Sequence, residues 1–161
     1  MGTNHMGRQS IRFPQPPVVR GFASVAGKKE REGPLGDQFT ATVQDTTFGE
    51  KSWERAERRM QQMTLELALE KAGLTDADLD AAFAGDLLNQ CIGSSFSLRN
   101  RGVPTLGLYG ACSTMAESLL LAAMSVSGGF ARTALAMTSS HFASSERQYR
   151  FPLGYGGQRT P

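Results

Sequence analysis

The chain has 161 residues, with 17 Lys and Arg against 15 Asp and Glu, a formal charge of +2 and 40% hydrophobic residues. The near-balance of charge argues against a surface built to neutralise nucleic-acid phosphates, and the apolar share argues against disorder of the chain's body. No apolar run reaches bilayer-spanning length, and Cys91 and Cys112 alone exclude a disulfide framework and fit a reducing compartment. The length predicts one domain's worth of chain. The His5-Met6 pair is of a kind left by cloning, so residues 1–5 read as non-native and 1–17 as a leader. Residues 1–34 hold six basic and two acidic side chains, a solvated basic arm.

Val18 to Ala26 reads as a weak strand, and the Lys28–Gly36 stretch as a polar loop punctuated by Gly33, Pro34 and Gly36. A helix follows. Trp53, Ala56, Met60, Met63 and Leu67 recur at spacings of three and four, which predicts one core-facing stripe. Ser52 is its expected N-cap and Gly73 its stop. Thr75 to Asp78 resembles a capping box. Ala81 to Ala84 predicts a strand, Asn89 to Asn100 a helix, Thr105 to Tyr109 a buried strand, Thr114 to Val126 a helix and Thr133 to Thr138 a strand. Strand and helix alternating at this spacing predict βαβ units on a parallel sheet. The tail from Ser139 to Pro161 is polar and without periodicity.

In such a sheet, sites gather at the carboxyl ends of the strands. Three segments fall there: Gly85-Asp86, Gly110 to Ser113, and Ser139 to His141. Cys112 is expected where a strand hands over to a helix. Unpaired N–H groups at a helix N-terminus favour a thiolate and can hold a carboxylate. Cys112 is thus a nucleophile for acyl transfer, one wall of an anion pocket, or a small side chain packed at a crowded turn. Cys91 reads as structural. Asp86 is either a ligand contact or a cap for the next helix. His141 could serve as acid, base or hydrogen-bond donor, but no base can be assigned to a nucleophile from one His. No glycine pattern matches a phosphate loop, and no Cys/His spacing suits zinc.

Four segments stand in one order: Ala84 to Gln90 (Ala-Gly-Asp-Leu-Leu-Asn-Gln), Tyr109 to Thr114 (Tyr-Gly-Ala-Cys-Ser-Thr), Gly128 to Ala131 and Thr138 to His141. With Lys29 to Gly36, Lys51 to Arg58, Glu146 to Pro152 and Tyr155 to Gln158, this order resembles the stage V sporulation AD family of endospore-forming bacteria. The similarity runs from about residue 18 to the C-terminus. It implies a thiolase-like α/β fold, of which residues 18–161 would be an incomplete N-terminal βαβαβ half, because family members run to about twice this length. It also implies a non-catalytic protein that binds dipicolinic acid, free or with calcium, and assists its uptake into the developing spore. That work would take place peripherally at the inner spore membrane, with other stage V sporulation proteins of the AA–AF group. Asp86, Cys112 and Ser113 are the positions carried over as ligand-binding, with His141 a weaker candidate. No cofactor is expected, and calcium enters only with the ligand. The alternative is a thiolase- or ketoacyl-synthase-like acyltransferase with Cys112 as nucleophile. A half-fold would leave apolar surface uncovered, which predicts a homo-oligomer.

Overall fold

The computed structural model describes residues 4–150. At the N-terminus, β1 (His5–Met6) and β2 (Ser10–Ile11) form a small antiparallel hairpin. The weak strand expected over Val18 to Ala26 is confined to β3 (Val25–Ala26), paired in parallel with β4 (Ala41–Thr42). Between them the polar loop carries one turn of helix, α1 (Lys28–Arg31).

The long helix α2 (Trp53–Ala72) starts where expected: the Ser52 hydroxyl accepts from the Arg55 amide. It stops at Gly73, whose left-handed backbone (φ 65°) favours glycine. Its buried face differs from the expected stripe. Ala56, Glu57, Met60, Gln61 and Leu65 are buried, whereas Trp53, Met63 and Leu67 are only half-buried. A pattern read from apolar residues alone misses two polar side chains that turn inward. The Thr75–Asp78 capping box is present.

The main sheet has three parallel strands in the order β6-β5-β7: β5 (Ala81–Gly85), β6 (Thr105–Leu108) and β7 (Ala134–Thr138). The helix expected from Asn89 is shorter, α3 (Ile92–Leu98), because Gln90 and Cys91 take left-handed backbone (φ 58° and 51°) and break it. Helix α4 (Thr114–Ser127) links β6 to β7, and α5 (Phe142–Arg150) follows β7 inside the stretch read as irregular. The crossovers β5–α3–β6 and β6–α4–β7 run in opposite directions along the sheet. Right-handed connections therefore put α3 and α4 on opposite faces.

The core lies on the α2/α3 face, where Leu65, Leu79, Leu98 and Val103 pack against Ala82, Ala84 and Met137 of the strands. Leu69 and Leu135 flank them. On the other face α4 buries small residues, Thr114, Ser118 and Ala122, one turn apart. Its larger apolar side chains, Met115, Leu119, Leu120 and Met124, are 43–50% exposed. Strand β6 is also a correction to the sequence reading. It was expected to be buried, yet Thr105, Leu106 and Gly107 are exposed, because β6 lies at the sheet edge with one neighbour. The described residues thus form a mixed α/β structure with mostly parallel sheets. Among them no helix is long and apolar enough to cross a membrane.

Candidate functional site

Register brings the three expected site segments to one edge. Gly85 pairs with both Leu108 and Thr138, so the carboxyl ends of the three strands are level. Packing here is tight. A Cβ on Gly85 would collide with the Leu108 carbonyl oxygen and lie 2.6 Å from Thr114 Cγ2, so only glycine fits where β5 meets the start of α4.

Cys112 and Ser113 sit on a tight turn, Ala111–Ser113, directly before α4, and both are exposed. Ala111 carries φ 50°, a left-handed conformation that costs a non-glycine residue on the order of 1 kcal/mol. The turn is held by its neighbours. The Thr114 hydroxyl accepts from the Gly110 amide at 3.1 Å, and the Ser113 hydroxyl donates back to the Gly110 carbonyl at 2.7 Å. Ser113 therefore does not cap α4 with its side chain. A methyl group added at Gly110 would fall 2.6 Å from Glu117 Oε2, so this carboxylate also borders the turn. Sequence reasoning missed Glu117. Its signal is a spacing of four from Ser113, which puts both on one face of α4.

Asp86 is placed differently. It is fully buried and turns toward α3. Its Oδ1 accepts from the Leu88 amide at 2.9 Å, and its Oδ2 accepts from the amide and hydroxyl of Ser94 at 2.7 and 2.6 Å. It caps α3 from outside the helix, one of the two roles the sequence left open. Cys91, the residue before α3, is buried and donates its S–H to the Leu108 carbonyl at 3.2 Å. Burial pushes its thiol pKa up, with the nearby Asp86 charge acting in the same direction, so it stays a thiol.

From Asp86 a polar chain runs through the α2/α3 face. The Gln61 amide donates to Ser94 Oγ at 3.2 Å and to Ser139 Oγ at 2.6 Å, while its own oxygen accepts from Ser97. Ser139 in turn donates to Glu57 Oε1 at 2.7 Å. Both arms leave Gln61 as donors and end on a carboxyl. Burial pushes the Glu57 pKa up to about 7; the hydrogen bond from Ser139 offsets part of this, and the Asp86 charge adds to it. Glu57 and Gln61 were also missed, since neither belongs to an apolar stripe.

Both ring nitrogens of His141 are engaged. Nδ1 accepts from the Ser144 amide at 3.3 Å, which caps α5, and Nε2 lies 2.8 Å from the Thr46 carbonyl and donates to it. The ring packs on Trp53 and Phe48, with centroids 5.8 and 6.1 Å away. The shared edge therefore divides: Asp86 and His141 turn toward the α2/α3 side, and Cys112 and Ser113 open at the start of α4. Among the described residues no group of three or more metal-ligating side chains gathers. Residues 151–161, which carry part of the tail motif, lie outside the described residues.

Comparison with known proteins agrees with the motif order. The chain is 44% identical over 153 residues to the stage V sporulation protein AD of Bacillus subtilis (strain 168), covering 95% of this chain and 45% of that protein. It spans somewhat less than half of that relative's length. The model of the family described as stage V sporulation protein AD matches residues 7–161, and the chain belongs to that family.

Proposed function

We propose that this chain is part of a sporulation protein that binds dipicolinic acid, free or as its calcium chelate, and assists its uptake into the developing spore. The observation that carries the reading is the exposed Cys112-Ser113 turn at the start of α4, in a chain of this family. Helix N–H groups at that turn suit a carboxylate, and Ser113 adds a hydroxyl. Glu117 at the turn and Asp86 beneath the edge disfavour a bare dianion; calcium bound to the ligand, or a proton, offsets their charge. In this reading Asp86 acts by fixing the loop after β5, and His141 by fixing the loop after β7. The fold is thiolase-like, with this chain as the first of two similar halves. The protein works as a homo-oligomer, peripherally at the inner spore membrane, with other stage V sporulation proteins of the AA–AF group.

Equilibrium dialysis of the full-length protein against dipicolinate, with and without calcium, tests this. Saturable binding that weakens in Cys112→Ala and Asp86→Ala is expected. Absence of binding removes the function; binding unchanged in both variants removes the site assignment.

A second reading, an acyltransferase with Cys112 as nucleophile, is favoured by one observation: Cys112 is a free, exposed thiol at a strand-to-helix turn. Incubation with an acyl-CoA separates the two. Covalent acylation of Cys112 supports the enzyme, and its absence supports the binding protein.

A further inference from the structure

Helix α5 is attached unusually. Among its described side chains the buried ones are two serines, Ser144 and Ser145, and Phe142 is 76% exposed. None of these described side chains belongs to the apolar core. Polar bonds hold it instead: Ser144 Oγ donates to the Trp53 carbonyl at 2.6 Å, His141 Nε2 bonds the Thr46 carbonyl, and the Asn89 amide donates to Gln148 Oε1 at 2.8 Å. Elements held by few apolar contacts open locally at low free-energy cost. Beneath it lies Glu57, with no exposed surface. Its Oε1 accepts from Ser139, while Oε2 is buried and has no hydrogen-bond partner among the described residues. Ser145 Oγ is in the same condition. A carboxylate in that place would leave a charged oxygen unpaired in the interior, whereas a proton on Oε2 removes the charge.

We infer that α5 is a proton-controlled latch: it seats on α2 while Glu57 is protonated and lifts, exposing Glu57, when Glu57 ionises. The Gln148 bond joins α5 to the loop after β5, so release also frees that loop from one of its ties.

The groups facing Glu57 set the direction. The Asp86 charge disfavours its ionisation across the interior. Helix α3 and strand β7 contain only Ser, Thr, Gly and apolar residues, so neither adds a charge. On α2, Arg58 points to Glu50, in an ion pair at 3.4 Å. On the α5 side stand His141 and Glu146. His141 Nδ1 is the acceptor that caps α5. Comparison with Glu57→Gln, which keeps the shape and the Ser139 bond, isolates the part that belongs to Glu57.

Hydrogen exchange across 139–150 in the full chain, from pH 5 to pH 8 and corrected for intrinsic rates, reads the latch. The ratio of wild-type to Glu57→Gln protection is expected to fall about tenfold per pH unit from pH 5 and to level off near pH 7, with β5 amides slower to exchange throughout. A ratio independent of pH overturns the inference, and so does equal exchange in α5 and β5, which would mean one global opening. Carbon-13 detection of the Glu57 carboxyl needs no variant: a midpoint near 7 supports the latch and one near 4.5 overturns it.

Discussion

The two faces of the main sheet are inverted with respect to each other. On the α2/α3 face the interior holds Glu57, Gln61, Asp86 and Ser94 at 0–1% exposure, joined by hydrogen bonds beside the apolar core. On the α4 face the sheet is covered by small residues, and Met115, Leu119, Leu120 and Met124 point outward. The cysteines follow the same division: Cys91 is sealed against Leu108, and Cys112 stands open at the start of α4. Both lie beside left-handed backbone at the end of a strand, so local conformation does not distinguish them. What differs is cover. One face uses its polar groups to hold loops in place, and the other leaves a thiol, a hydroxyl and apolar side chains exposed.

Breaking the polar face is expected to have the largest effect. Asp86→Ala leaves the Leu88 and Ser94 amides without their buried acceptor, a loss of about 4 kcal/mol measurable by urea unfolding. Glu57 gives the same face a pH dependence. Its pKa is higher folded than unfolded, so its contribution to stability is full below pH 4.5, falls as the pH rises, and is lost by about pH 7. The loss is on the order of 3 kcal/mol and should be absent in Glu57→Gln. Asp86→Asn removes a neighbouring charge and should draw the Glu57 midpoint down. Cys91→Ala should cost about 1 kcal/mol, the price of a small buried side chain and one weak donor. In native protein a thiol reagent should modify Cys112 at least about a hundredfold faster than Cys91, which must await opening. Smallest in stability terms is Leu119→Glu on the open face, within about 0.5 kcal/mol. It should nevertheless shift a sizing profile toward smaller species, and an unchanged profile would mean that α4 does not carry self-association.

The strand-and-helix order was legible because periodicity, Ser52, Gly73 and the Thr75–Asp78 box act locally. The strand-end position of Cys112 followed from the same order. Burial of β6 was misread because an apolar strand at a sheet edge has the composition of a central one. The helix after β5 was read too long because Gln90 and Cys91 hold left-handed backbone that their side chains do not announce; the Cys91–Leu108 bond joins residues 17 positions apart. Helix α5 was invisible for a related reason. Its described buried side chains are serines, and its seat is made of distant groups, Trp53, Thr46 and Glu57. The roles of Asp86 and His141 as caps needed partners that only the folded chain supplies.

The most direct test is calorimetric titration of the full-length protein with dipicolinate, comparing the wild type with Cys112→Ala, Ser113→Ala and Cys91→Ala. At least a tenfold loss of affinity in the two α4-turn variants, with Cys91→Ala close to wild type, is the expected result. Equal affinity in all four proteins, or no binding in any, would contradict it.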